Sequence, residues 1–445
     1  MPPKGRSGCS APSHLRPTDE IGLTGSGVEP RTTGAPPFRL PGIHLVGAIV
    51  WLVLGGAGLV VIAPDLAAAR FLAPRVLAVT HLYTLGVIVA SVFGALYQFY
   101  PMSLGAGARS VRVGVAGAWL LHAGVGVLVA GFWLWWPALQ VAGWWLLFLA
   151  IGCVSWNLLP HRRQMTQGRR AAAYVSAAHS MLGLALLLAG ARMGESLGWW
   201  TFDRLGAIAA HFHLAAFGFA GLTAVGVGGR LLPLFMVSGT GPEWPMRVIG
   251  PLASGGLIAL AGGLLADYRP AVWLGALLGL GAAALFVAVV VGYFRRRLVR
   301  VLEPAFGHVL AGFCSLVLAL GAGVVQLATP GVSLRGWVVY AELTLLGWLV
   351  LFITGIWYRL FAFLIWLHFY GASGEARART AAELVHGPAA WGALGLLAAG
   401  VIVLVSGTAL GSAAAARIGA GGVLGGSLLI AAQYARIFAS RGHTS

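Results

Sequence analysis

Polar side chains that can ligate a metal or carry a proton recur at fixed intervals in this 445-residue chain, inside stretches apolar enough to lie in lipid. His81, His213 and Glu342 each open a similar run: "HLYTLGVIVASVFGALYQFYP", "HLAAFGFAGLTAVGVGGRLLP" and "ELTLLGWLVLFITGIWYRLFA". Each anchor is followed by Leu, by Gly five positions on (Gly86, Gly218, Gly347) and by Gly thirteen positions on (Gly94, Gly226, Gly355). The anchors are 132 and 129 residues apart, and a second series, His44, His179 and His308, repeats at 135 and 129. Neutral imidazole carries one N–H and one lone pair, so it can bind a transition metal or porphyrin iron, or relay a proton. An ionisable group within a lipid-embedded helix is costly, which makes these positions the first candidates for function.

The elements that must hold these residues follow from composition. Apolar residues make up 59% of the chain and charged residues 9%, which excludes an ordinary soluble domain. Runs of about 20 apolar residues, each enough to cross the hydrocarbon core, recur along the sequence. Backbone in lipid must satisfy its own hydrogen bonds, so unbroken runs of this length predict helices. The fold class is an all-α polytopic membrane protein with twelve crossings, near 43–63, 76–102, 112–136, 139–159, 172–192, 205–236, 247–267, 271–294, 304–327, 336–369, 386–406 and 415–435. The two in-phase series divide the crossings into three four-helix arcs, 43–159, 172–294 and 304–435. Residues 1–42, rich in Pro, Gly, Ser and Thr, read as a disordered tail without the apolar core of a cleaved signal, and 436–445 as a short C-terminal tail. The first crossing is then expected to serve as the insertion signal.

Lys and Arg are retained on the cytoplasmic side of a membrane. With twelve crossings, 22 of the 29 basic residues fall on the side of the two termini. Both termini are therefore expected in the cytoplasm of a bacterial-type inner membrane, with His81, His213 and Glu342 in the outer half of the bilayer. His44, His179 and His308 form a second layer nearer the cytoplasm. The net charge of +17 needs no nucleic-acid partner, because "PHRRQMTQGRR" and "FRRRLVR" are orienting loops beside anionic lipid. Cys9, Cys153 and Cys314 match no paired spacing, and the sequence has no C-x-x-C-H for covalent haem.

Other roles compete for each histidine. His44, His161, His368 and His386 lie near crossing ends, where headgroups can solvate them. His14 and His443 lie in the tails. His122 has no in-phase counterpart and reads as a hydrogen-bonding group between helices. His179 and His308 stand equally for ligand and structural roles. His211 is two residues from His213, a turn of about 200° around a helix, so the two must face different neighbours. The paired glycines either pack helices or leave room for a flat ligand.

Twelve helices in three arcs, with histidines in the outer halves of crossings 2 and 6, resemble subunit I of the haem–copper oxidase superfamily. That superfamily includes the cytochrome oxidases and nitric oxide reductases, with NnrS-type membrane proteins as a further relative. "THLYTLGVIVASVFGALYQFYP" and "AHFHLAAFGFAGLTAVGVGGRLLPLF" carry the resemblance most clearly, within residues 43 to 435. It implies b-type haem held by His81 with His213, or with His211 as the alternative, and respiratory electron transfer or nitric oxide or oxygen metabolism with a redox partner subunit. It also implies copper or another second metal, for which His179, His308, His44 and Glu342 are the candidates.

The chain departs from the pattern. Crossing 7, "MRVIGPLASGGLIALAGGLLAD", lacks the family's histidine pair, crossing 10 carries Glu342 where a histidine is expected, and the His-x-His stands on crossing 6 as "HFH". An incomplete copper site follows. Three functions fit these residues: an oxidoreductase of the terminal oxidase or nitric oxide reductase type, a haem or metal protein without turnover that senses gas or assists others, and a transporter with a proton relay.

Overall fold

The computed structural model describes residues 35–159, 168–201, 203–298, 300–329, 331, 333–370 and 380–439. The expectations for Cys9, His14, His161 and His443 lie outside the described residues. Twelve helices are long and apolar enough to cross a membrane, and no strand occurs among the described residues. They are α1 (Arg39–Ala67), α2 (Pro74–Leu104), α3 (Val111–Trp133), α4 (Pro137–Leu158), α5 (Arg169–Glu195), α6 (Arg204–Phe235), α7 (Trp244–Leu265), α8 (Arg269–Arg296), α9 (Pro304–Ala328), α10 (Leu334–Phe369), α11 (Gly387–Leu410) and α12 (Ala413–Ala439). The chain is a polytopic all-α membrane protein.

The three arcs share one construction. The third and fourth helices of each form a tight hairpin that depends on glycine. A Cβ on Gly143 would lie 2.5 Å from the Leu128 nitrogen, one on Gly263 2.7 Å from that of Val272, and one on Gly400 2.6 Å from that of Val423. Each hairpin turns on a left-handed residue, Trp135, Asp267 or Gly411, and so do the turns between first and second helices, at Ala69, Gly198 and Gly331. α12 packs on α1 and closes the ring.

α2, α6 and α10 occupy the middle. Directly after His81, His213 and Glu342, each switches from α to π hydrogen bonding for eight residues: Leu82–Val89, Leu214–Gly221 and Leu343–Val350. The three wide segments touch one another pairwise. Widened turns leave carbonyls short of their usual donors, and side chains serve several of them. His81 donates to Leu77 O, Thr84 to Thr80 O, His213 to Ala209 O and Thr344 to Tyr340 O. Trp357 of α10 donates to Ser91 of α2 at 3.2 Å, tying the centre together. In its most apolar stretch α10 is 83% buried and α2 67%, against 22% for peripheral α8; α6, at 50%, is the least enclosed of the three.

Residues 39–42, read from the sequence as part of the tail, belong to the first helix. α1 starts at Arg39, and Phe38 packs on His368, Phe369 and Phe438. His368 meets Pro36 O at 2.8 Å, and His386 caps α11 by accepting from Ala389 N–H. Both histidines have partners within the protein, and His386 is exposed as well.

Candidate functional site

His81 ends the α-helical part of α2. Its Nδ1 lies 2.7 Å from Leu77 O, and because a carbonyl only accepts, the proton is on Nδ1 and Nε2 keeps its lone pair. The ring stacks on Phe132 of α3, with centroids 4.9 Å apart and planes 25° apart. His211 is held in the same way by α5, its Nδ1 2.9 Å from Ala185 O. The two imidazoles are near enough to interact electrostatically. Neither is fully buried. Tautomer and ring orientation are thus fixed by backbone, a support common to histidines that bind metal.

His213 points elsewhere. Its Nδ1 donates to Ala209 O at 2.7 Å, and its Nε2 accepts from the Tyr340 hydroxyl of α10 at 3.1 Å. The half-turn between residues 211 and 213 separates their environments: His211 meets α5 and His213 meets α10. His81, His211 and His213 thus have separate hydrogen-bond partners on α2, α5 and α10. Tyr340 was missed as a site residue, yet its repeat register contained the signal: it stands two positions before Glu342, as His211 stands two before His213.

Glu342 is buried at 6% exposure, and its Oε1 accepts from Thr408 of α11 at 2.7 Å, while Oε2 has no partner among the described residues. Arg335, two turns earlier on α10, donates to Thr408 O and to Ala67 O. The acid therefore serves the α10–α11 contact and does not join the histidines.

The second layer is separated by aromatic rings. His44 lies between Phe93 and Tyr97 of α2, His179 stacks on Phe93 and meets Phe219 edge-on, and His308 meets Tyr358 edge-on. No three His, Cys, Asp or Glu side chains converge on a point that could hold a metal ion among the described residues. His44, His179, His308 and Glu342 do not converge as a metal-holding group among the described residues; aromatic rings, Phe93 shared between His44 and His179, stand beside the imidazoles. His122, as expected, joins helices: it accepts from Trp51 at 2.9 Å through Nδ1 and donates to Ile43 O at 3.2 Å through Nε2.

The glycines also resolve toward packing. A Cβ on Gly86 would lie 2.6 Å from Trp51 of α1, one on Gly94 3.1 Å from the His44 Cβ, one on Gly218 2.6 Å from the Met181 Cβ, and one on Gly347 2.9 Å from the Ser315 Cβ. On Gly355 it would lie 2.6 Å from Ala305 O and 2.9 Å from the His308 Cβ. Each admits the first helix of its own arc, and no ring space remains at Gly86 or Gly94. Gly226 differs in facing Tyr174 and not His179. α5 is displaced along α6 by more than a turn, and this carries His179 inward to Phe219. No protein-family model matches the chain, and no curated protein sequence matches it.

Proposed function

We propose that the protein binds b-type haem within the membrane, with His81 of α2 and His211 of α6 as the axial ligands. The observation that carries this reading is a shared support: two imidazoles from different arcs, each fixed through Nδ1–H by a backbone carbonyl and each with no Nε2 partner among the described residues. That donor set fits haem iron, which takes a neutral imidazole nitrogen on either face. When bound, the group supplies one-electron transfer. The chain's own contribution is orientation: Leu77 O and Ala185 O hold the rings, and Phe132 covers the His81 face. His213 stays outside the pair because Tyr340 occupies its Nε2.

The resemblance to the haem–copper oxidase superfamily gives the functional class: respiratory electron transfer, or nitric oxide or oxygen metabolism with a redox partner subunit, in a bacterial-type inner membrane with both termini cytoplasmic. The residues do not fit the copper centre of that superfamily, and we assign no chemistry to copper or another second metal. Haem binding without turnover, as in a sensor or accessory protein, uses the same ligands. A proton-relay transporter is the second reading, favoured by the open Oε2 of Glu342.

The test is the visible spectrum of protein purified from haem-competent cells, oxidised, reduced and with carbon monoxide or nitric oxide added. A b-type spectrum that disappears in His81→Ala supports the reading; wild-type haem content and spectrum in His81→Ala overturn it. Proton flux in proteoliposomes without haem would favour the transporter.

A further inference from the structure

Where α5 and α7 begin and α6 and α8 end, the helices part around a cavity of about 1240 Å³. α6 lines it from Gly226 to Leu234, roughly 12 Å at the rise of an α-helix. The loop 237–243 forms another wall, leaving α6 on a left-handed residue, Val237 (φ 47°), and turning again at Gly241 (φ 69°). A β-branched residue rarely takes that conformation. The loop is fastened to the end of α8: Val237 O accepts from Leu298 N at 3.2 Å, and Gly239 O from Arg296 Nε at 3.4 Å.

The lining combines excess positive charge with exposed hydrocarbon. It carries four arginines, Arg169, Arg170, Arg230 and Arg296, against one acid among the described residues, Glu243. Glu243 is already shared, 3.1 Å from Arg170 and 3.1 Å from Arg247, which lies off the lining. The third arc is built differently: Arg359, which stands 129 residues after Arg230 in the repeat, is matched by its own Glu303. The buried Tyr174 and Tyr293 donate their hydroxyl protons to Met246 O at 2.9 Å and Gly229 O at 3.3 Å, so they bring no free hydroxyl donor to the wall. Met102, Leu234, Val237 and Leu298, also on the lining, are 47%, 67%, 52% and 75% exposed. The arginines thus open onto an apolar rim at the helix ends.

We propose that this cavity binds one acidic phospholipid from the leaflet on the side where α1 begins. Its phosphodiester lies among the arginines, whose planar donors match phosphate oxygens, and its fatty chains follow the exposed apolar rim into the bilayer. A zwitterionic phospholipid brings an ammonium group and no net charge to a lining with an excess of three cations. A soluble phosphate answers the arginines but covers none of the four exposed apolar side chains. Scattered basic residues attract acidic lipid diffusely; here the arginines share one cavity with a fixed wall. The inference stands apart from the haem reading, since α6 carries His211 near its start and this cavity at its end.

The experiment uses the full chain, delipidated in detergent, and radiolabelled phosphatidylglycerol, with bound lipid read by scintillation proximity at fixed ionic strength. The expected result is one saturable site per chain, displaced by unlabelled phosphatidylglycerol and not by phosphatidylcholine, phosphatidylethanolamine or pyrophosphate. The double variant Arg230→Gln, Arg296→Gln weakens binding about tenfold, the loss of charge-assisted hydrogen bonds worth about 1.4 kcal/mol. Arg169→Gln, at an exposed position, weakens it in the same direction, so the test survives a double variant that fails to fold. Glu243→Gln removes the competing carboxylate and tightens binding. Arg112→Gln, exposed but off the lining, leaves it unchanged. Wild-type binding in both the folded double variant and Arg169→Gln overturns the proposal, and so does an equal loss in Arg112→Gln, which would reduce the effect to general surface charge. Equal displacement by phosphatidylcholine or phosphatidylethanolamine overturns it as a general lipid groove, and equal displacement by pyrophosphate overturns it as a soluble-anion site.

Discussion

The two histidine layers come from the same threefold repeat, yet their rings have different surroundings. In the layer of His44, His179 and His308, the side chains are buried at 0%, 4% and 0% exposure and wedged among aromatic rings. His44 has no partner on either nitrogen, and His179 and His308 have none on Nε2, among the described residues. In the layer of His81, His211 and His213, the rings sit at or just before α-to-π junctions and are partly open, and His81 and His211 each have no Nε2 partner among the described residues. Repeat phase locates polar residues, but the free volume beside the ring decides whether a ligand can reach it. The layer of His44, His179 and His308 is closed by helix packing. The layer of His81, His211 and His213 is less enclosed, and a π segment displaces the backbone next to His81 and His213.

Several substitutions can break that contrast. The largest effect is expected from the double variant His81→Ala, His211→Ala, which should purify as a folded protein with haem content near background by pyridine haemochrome assay. Retention of haem at the wild-type ratio would assign it to the other layer. Next is Gly355→Leu, which drives a side chain into Ala305 O and the His308 Cβ. Steric overpacking of this kind costs about 1–3 kcal/mol or more, and the expected result is a sharp fall in yield of monodisperse protein. The same substitution at Gly392, where a Cβ would meet only Leu429 at 3.6 Å, should be tolerated.

A smaller effect separates two neighbouring histidines. His122→Ala leaves the Trp51 N–H without its acceptor, at a cost of about 1–3 kcal/mol, and should lower the thermal midpoint in detergent without changing the haem spectrum. His44→Phe removes two unpartnered nitrogens from an aromatic site and should keep or raise that midpoint. A larger loss from His44→Phe than from His122→Ala would mean that His44 holds something beyond its packing. The least change is expected from Glu342→Gln, which can still accept from Thr408; Glu342→Ala should loosen α10 from α11. If Glu342→Gln instead abolishes proton flux or gas turnover, the open Oε2 is functional. Reporter fusions establish which layer faces outward: the basic asymmetry predicts a cytoplasmic C-terminus, and a periplasmic one would exchange the two layers.

Much of the fold could be read from composition and period. The apolar runs locate all twelve helices to within a few residues, and the spacings of 132 and 129 between His81, His213 and Glu342 reappear in the three π segments. Helix faces were less legible. A residue's azimuth depends on the number of residues per turn, and the π segments change that number just beyond each anchor. Spacing alone therefore cannot show that His213 meets Tyr340 while His211 meets Ala185 O. The glycines illustrate the same limit, since Gly86 admits Trp51 and not a ligand, a choice made by a side chain on another helix. The arginine-lined cavity is scattered along the sequence, being lined from α2, α5, α6, α7 and α8 together.

The most direct test of the central claim compares His211→Ala with His213→Ala by low-temperature EPR of the oxidised protein, with equal haem loading checked in parallel. Axial ligation by His81 and His211 predicts that a low-spin bis-imidazole signal survives in His213→Ala and is lost or converted to high spin in His211→Ala. The reverse pattern, with the signal intact in His211→Ala and lost in His213→Ala, would contradict it and return the haem to the Tyr340 side of α6.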